Sequence, residues 1–217
     1  MRRNELIRAA AVLALAGLAL LLYVKWYGGA PLPGDLRVTR EVQGWGGLER
    51  NAKYINAAAD ALWVVIPGVA LLVAFRSRLG WRTAKLPSRV EALSALAAAV
   101  VLRLGNGLMK SIVESPRPSV DLGVRVDDIF HGYGFPSGHV YSDTLCYGVI
   151  AALAPAWLPP PLVLPARILA IAIIVLAGPA RIVVGAHWPS DTLGGYLFGA
   201  AAACLALWFG RYVAKRQ

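Results

Sequence analysis

The chain alternates long apolar runs with short polar connections. A helix needs about 20 apolar residues to cross the hydrocarbon core of a bilayer. Six segments approach that length: Leu6 to Tyr27, Ala57 to Phe75, Val90 to Met109, Val140 to Leu158, Leu162 to Ala180, and Thr192 to Val213. The pattern predicts an all-α integral membrane bundle of six transmembrane helices, with residues 1–217 forming one domain. The first long connection, Gly28 to Asn56, contains Gly, Pro and Trp45 and reads either as a connector anchored by its aromatic residue or as holding a short interfacial segment. The third, Lys110 to His139, is polar and carries Asp121, Asp127 and Asp128. No internal repeat is apparent.

Composition supports a lipid environment: 58% of residues are hydrophobic and 16% charged, outside the usual range for a soluble globule. The formal net charge of +10 would suit a nucleic-acid partner, but Lys and Arg sit between apolar runs and form no continuous basic surface. Topology signals and phosphate binding account for them, with no nucleic acid implied. With a cytoplasmic N-terminus, that side receives twelve Lys and Arg residues, Arg167 among them, against six on the other once Lys110, Arg117 and Arg181 are set aside for chemistry. The positive-inside bias therefore places both termini in the cytoplasm and the connections after the first, third and fifth spans outside. Arg2 and Arg3 ahead of the run Leu6 to Val24 resemble a signal peptide, but the run exceeds a signal core and no cleavage site follows, so a retained helix is expected. Cys146 and Cys204 lie within apolar runs and imply neither a disulfide framework nor a zinc site. Gly105, Gly107, Gly194, Gly195 and Gly199 mark expected packing faces between helices, the alternative for Gly195 and Gly199 being dimerisation.

Three polar clusters fall at the outward ends of the third, fourth and fifth spans, on one side of the membrane. They are Lys110 to Pro118, Pro136 to His139, and Arg181 to Asp191. A phosphoryl group in transfer spreads charge over its nonbridging oxygens, so its site needs fixed cations and N–H donors. Lys110, Arg117 and Arg181 supply the cations. Each alone would read as an interfacial snorkelling residue, and a lone histidine as a structural polar contact; together with His139 and His187 they read as an anion site. Ser137 is placed to cap the fourth span, and Gly138 leaves the backbone open to close approach. His187 and Asp191 are four residues apart, so a helical turn lets the carboxylate hold one imidazole nitrogen and fix the tautomer of the other. Pro189 between them fits only a first turn.

These stretches resemble the signature of the type-2 phosphatidic acid phosphatase (PAP2) superfamily, K-x6-R-P, P-S-G-H and S-R-x5-H-x3-D, in that order. Motifs at 110–118, 136–139 and 181–191 match, except that Ala180 replaces the serine opening the third. The resemblance implies a membrane lipid phosphatase in which His187 attacks phosphorus, Asp191 orients it, and His139 protonates the departing oxygen and later activates water. Lys110, Arg117, Ser137, Gly138 and Arg181 would bind phosphate. No cofactor is implied, and Glu114, Asp121, Asp127 and Asp128 lack recognisable metal-ligand spacing. His131 matches no motif position and is assigned to the loop; Ala180 is expected to remove one phosphate contact. The substrate expected is a lipid phosphate at the outer face of the plasma (inner) membrane, undecaprenyl diphosphate first, with phosphatidylglycerol phosphate and phosphatidate as alternatives. A non-catalytic lipid-phosphate binder is the reading from another class; it would not need both histidines and Asp191.

Overall fold

The computed structural model describes residues 2–75 and 87–216, so the expected basic connection carrying Arg76, Arg78, Arg82 and Lys85 lies outside the described residues. Among the described residues the regular structure is helical: α1 (Arg3–Trp26), α2 (Asp35–Gln43), α3 (Gly46–Phe75), α4 (Arg89–Arg103), α5 (Asn106–Val113), α6 (Gly138–Trp157), α7 (Pro160–Val183) and α8 (Pro189–Ala214), with a 3-10 turn over Val120–Leu122. Arg3–Trp26, Gly46–Phe75, Arg89–Val113, Pro160–Val183 and Pro189–Ala214 are long and apolar enough to cross a membrane.

α6 is not among those five, and its position explains why. Its residues Tyr141, Leu145, Val149 and Leu153 are buried against neighbours, and it packs on α3, α4, α7 and α8. A helix shielded by protein on most sides can carry Ser142, Asp143 and Thr144 where a lipid-facing helix cannot. The outer helices show the complement: Val12 and Leu15 on α1, Val64 on α3, and Leu164 and Ile168 on α7 are exposed. An apolar belt of that kind is a surface for lipid tails.

Two boundaries differ from the sequence expectation. Residues 46–56, expected within a loop, are the first turns of α3, because a hydropathy criterion finds lipid-facing length and misses polar helix protruding beyond it. The expected third span breaks at Leu104 and Gly105 into α4 and α5. The connection after α1 does contain a short helix, α2.

Small residues on α8 set the core spacing. A Cβ on Gly195 would stand 2.9 Å from the Ser137 carbonyl oxygen, and one on Gly199 2.7 Å from that of Tyr141, so α6 and α8 approach almost backbone to backbone. The expected packing faces at Gly105 and Gly107 are absent: nothing outside its own helical turn approaches Gly105, and Gly107 faces open space. Arg167, expected near the start of the fifth span, lies in α7 with its Nε donating to the Ala151 carbonyl at 3.0 Å. That carbonyl is the one Pro155 leaves without its helical donor. Pro179 is treated likewise: the Tyr196 hydroxyl donates to Val175 O at 2.9 Å and accepts from Gly178 N at 2.8 Å.

Candidate active site

The C-terminal ends of α5 and α7 and the N-terminal ends of α6 and α8 meet at one end of the bundle, beneath a strap formed by residues 114–137. The strap is pinned from several directions. Gly134 N donates to Ser115 O at 2.7 Å, Asp127 N to Val184 O at 3.1 Å, and Arg125 pairs with Glu49 at 2.7 Å and Asp127 at 3.0 Å. Glu114 accepts from the Tyr133 hydroxyl, and Asp121 from Ser119, so these acidic residues have local partners. His131 is exposed in the strap, as expected for a loop residue. Among the described residues no group of three or more His, Cys, Asp or Glu is arranged to hold a metal ion.

α8 begins where Pro189 occupies the first turn at no cost in hydrogen bonds. Asp191 Oδ2 reaches back to accept Trp188 N at 3.0 Å and lies 3.3 Å from His187 Nδ1. Gly134 passes so close that a Cβ there would lie 2.6 Å from the same oxygen. Trp188, fully buried, anchors the loop by donating its indole N–H to Pro116 O at 3.2 Å. The other imidazole nitrogen, Nε2, lies 3.2 Å from Arg117 Nη1. With Asp191 accepting from Nδ1–H, Nε2 presents its lone pair to Arg117. His187 is 2% exposed, and its pKa lies well below the ordinary 6.5, first because burial disfavours the imidazolium and then because Arg117, Lys110, Arg181 and His139 add positive potential. The neutral ring is the resting form.

Arg117 is fixed by two carbonyls, Ala186 O at 2.7 Å and Gly132 O at 2.9 Å. Burial lowers its pKa, with Asp191 opposing, yet a guanidinium so shifted stays charged at neutral pH. Lys110 donates to Tyr133 O at 2.6 Å, and its side chain passes 3.9 Å from where a Gly138 Cβ would be. Arg181 is buried, and its Nε has no partner. Ser137 N donates to Asp191 O at 2.9 Å, tying the start of α6 to α8. Ser137 stands at the N-cap position, but its hydroxyl makes no cap bond; Oγ is buried and unpartnered, so the expected capping role is replaced by a free donor. His139 opens α6 beside Gly138. All eight expected site residues therefore gather at one end of the bundle.

Ala180 does not face this cluster. It is fully buried in an apolar group with Val42, Ala52, Ile182 and Val183, so the expected loss of a phosphate contact is corrected: position 180 is a packing site. Two contributors escaped the sequence reading. The Phe130 ring centre lies 5.8 Å from the Arg117 guanidinium and 5.4 Å from that of Arg181, within cation–π range of both. Asp35, the first residue of α2, accepts from Ser190 N at 2.9 Å, Ser190 Oγ at 2.7 Å and Leu32 N at 2.7 Å, capping the helix that carries Asp191. Neither has a local signal; a sequence separation of 155 positions between Asp35 and Ser190 hides the pairing.

A family model described as the PAP2 superfamily matches residues 90–215. Two proteins named lipid A 1-phosphatase, from Rhizobium johnstonii and Rhizobium etli, are each 28% identical to the chain over 165 and 167 residues. The matches cover 67% of this chain and 61% and 64% of theirs, so the chain spans less than two thirds of these relatives' length. Among solved structures, a transmembrane PAP2 type phosphatidylglycerolphosphate phosphatase from Bacillus subtilis superposes with a TM-score of 0.72 at 22% identity, over 94% of this chain and 96% of that one. LpxE from Aquifex aeolicus gives 0.56 at 20% identity, over 79% and 93%. At these identities the superpositions establish a shared fold.

Proposed function

The chain belongs to the PAP2 superfamily of membrane proteins, and from that premise we propose that it hydrolyses a lipid phosphate at the bundle end that carries His187 and His139. One arrangement carries the reading. His187 is held through one nitrogen by Asp191 while the other, bearing its lone pair, faces the fixed cation Arg117. A phosphate entering between them takes over the Arg117 N–H and presents phosphorus to Nε2.

Nε2 forms the bond to phosphorus as the ester or anhydride bond breaks, and His139, protonated once the negative charge of the bound phosphate sits beside it, gives its proton to the departing oxygen. The phosphohistidine is resolved when water attacks, His139 taking the water's proton. Arg117, Arg181 and Lys110 balance the charge on the nonbridging oxygens, Ser137 Oγ and Arg181 Nε supply donors that have no other partner, and Gly138 leaves room for the anion. These roles need no metal ion. A binder without turnover needs only the cations; the buried His187–Asp191 pair favours the enzyme.

Six spans, α6 included, form one catalytic domain over 1–217, with α2 lying at the interface, both termini cytoplasmic and the site at the outer face of the plasma (inner) membrane. The substrate is a lipid monoester or diphosphate. Undecaprenyl diphosphate is one candidate, while the relatives' names point to saccharolipid and glycerolipid phosphates. In chelator, purified protein should release phosphate from at least one of these; His187→Ala should lower turnover by about a thousandfold or more with an unchanged melting curve. Full activity in that variant, or strict dependence on added divalent metal, would refute the reading.

A further inference from the structure

A cavity of about 440 Å³ opens from the start of α6 and descends between α3 and α4 to Pro67. Its walls are mostly apolar, and its rim residues Trp63 and Leu104 are 67% and 72% exposed on the lipid-facing flank. A hydrocarbon tail alone would need nothing more, yet Asp60, Arg103 and Asn106 also line the space. Polar groups at this depth are costly unless they meet partners. Arg103 spends Nε on Ser142 Oγ at 3.1 Å and reaches Ala59 O at 3.4 Å through Nη2, with its guanidinium 4.6 Å from the Trp63 ring centre. Most of its five N–H donors therefore remain for an occupant. Asn106 Oδ1 is buried and unpartnered, and among the described residues Asp60 makes no hydrogen bond or ion pair.

The cavity's place in the reaction follows from its wall, an inference that rests on the phosphatase reading. His139 lines it and His187 does not. In an in-line displacement the leaving group departs past His139, away from His187, and so into this space. Asn106 Nδ2 would stand 2.9 Å from a Cβ on Gly138, and Arg103 closes α4 just before it, so these polar groups meet atoms a few bonds beyond the scissile oxygen.

Charge selects among possible occupants. Asp143 is buried with Oδ1 unpartnered and lies within electrostatic reach of Arg103, Arg181 and Asp60. Arg181 is taken up by the transferred phosphate, which leaves Arg103 facing two carboxyl groups, a poor seat for a second phosphate and a good one for groups that both donate and accept hydrogen bonds. We propose that Arg103, Asp60 and Asn106 form a leaving-group subsite that recognises uncharged hydroxyl, ester or amide groups on a glycerol or sugar bearing the scissile phosphate. The substrate is then a lipid phosphate monoester built on a polyol, and a prenyl diphosphate is disfavoured.

The test compares kcat/KM in detergent for four substrates: dioctanoyl phosphatidate, an N,O-diacyl glucosamine 1-phosphate, farnesyl phosphate and farnesyl diphosphate. The enzymes are wild type, Arg103→Met and Asp60→Asn, with His187→Ala as the blank and thermal melts as the folding control. Wild type should prefer one or both polyol substrates, and the two polyol arms distinguish glycerol from sugar. Each variant should lose about tenfold on the preferred polyol and several-fold less on farnesyl phosphate. Should Arg103→Met not fold, Asp60→Asn, which preserves shape, decides alone. Equal losses across all four substrates, no loss, or a wild-type preference for farnesyl diphosphate would overturn the subsite. No phosphate release by wild type from any of them would instead sink the phosphatase reading.

Discussion

His187 is buried beside three basic side chains and a second histidine, so the folded protein resists protonating it while the unfolded chain does not. A folded pKa below the unfolded value of about 6.5 makes this residue's contribution to stability complete above that pH, and that contribution is lost as pH falls toward the folded value. The melting temperature of detergent-solubilised protein should therefore drop between pH 7 and pH 5, and the drop should shrink in His187→Gln. An identical slope in the variant would place the acid sensitivity elsewhere. Asp35 works at the same scale but through another residue. Replacing it with Asn leaves at least one of its three donors, from Ser190 and Leu32, poorly met, at about 1–3 kcal/mol for an unsatisfied buried group. Turnover should fall about tenfold through misplacement of Asp191, with KM little changed; unaltered kcat at a lowered melting temperature would leave Asp35 purely structural. The motif residues were legible because their types and spacing are chemical necessities of a phosphate site. Asp35, Phe130 and the buried face of Ala180 were not, because each depends on which helix lies opposite, and a single sequence does not encode that locally.

Helix identity was legible from apolar length, and the differences have a common cause: apolarity reports what faces lipid, while helicity also includes what protrudes or is shielded. Residues 46–56 protrude at the start of α3, and α6 is shielded. Within the helices, prolines required compensation that the sequence did not advertise. Pro155 frees the Ala151 carbonyl for Arg167, and Pro179, two residues before Arg181, frees the Val175 carbonyl for Tyr196. In Tyr196→Phe that carbonyl and Gly178 N lose their partner together. Hydrogen bonds among membrane helices contribute about 0.6 kcal/mol each on average, so a loss near 1 kcal/mol is expected, read as a lower melting temperature. Because α7 also carries Arg181, KM for the lipid phosphate should rise in the same variant. A stable protein with unchanged KM would show that the α7 bend does not set the position of Arg181.

At the scale of the whole molecule, the two ends of the bundle carry their charge differently. At the site end, Lys25 donates to Ile112 O, Arg40 to Leu122 O, and Arg125 pairs with Glu49 and Asp127, so these three cations are tied to the strap and its surroundings. At the opposite end, Arg2, Arg3, Arg211 and Lys215 gather around one cavity that also includes Glu91. The proposed orientation, read from the positive-inside bias, puts that end in the cytoplasm and the site outside. Asp121 in the strap and Lys215 beyond α8 are exposed, and Cys146 is buried with Cys204 partly so, which makes single introduced thiols informative. With both native cysteines changed to Ala, Asp121→Cys should react with a membrane-impermeant maleimide in intact cells. Lys215→Cys should react only after the inner membrane is opened. The reverse pattern would put the phosphate site on the cytoplasmic face, and with it the supply of substrate, since a lipid headgroup reaches this site only from the leaflet that the strap faces.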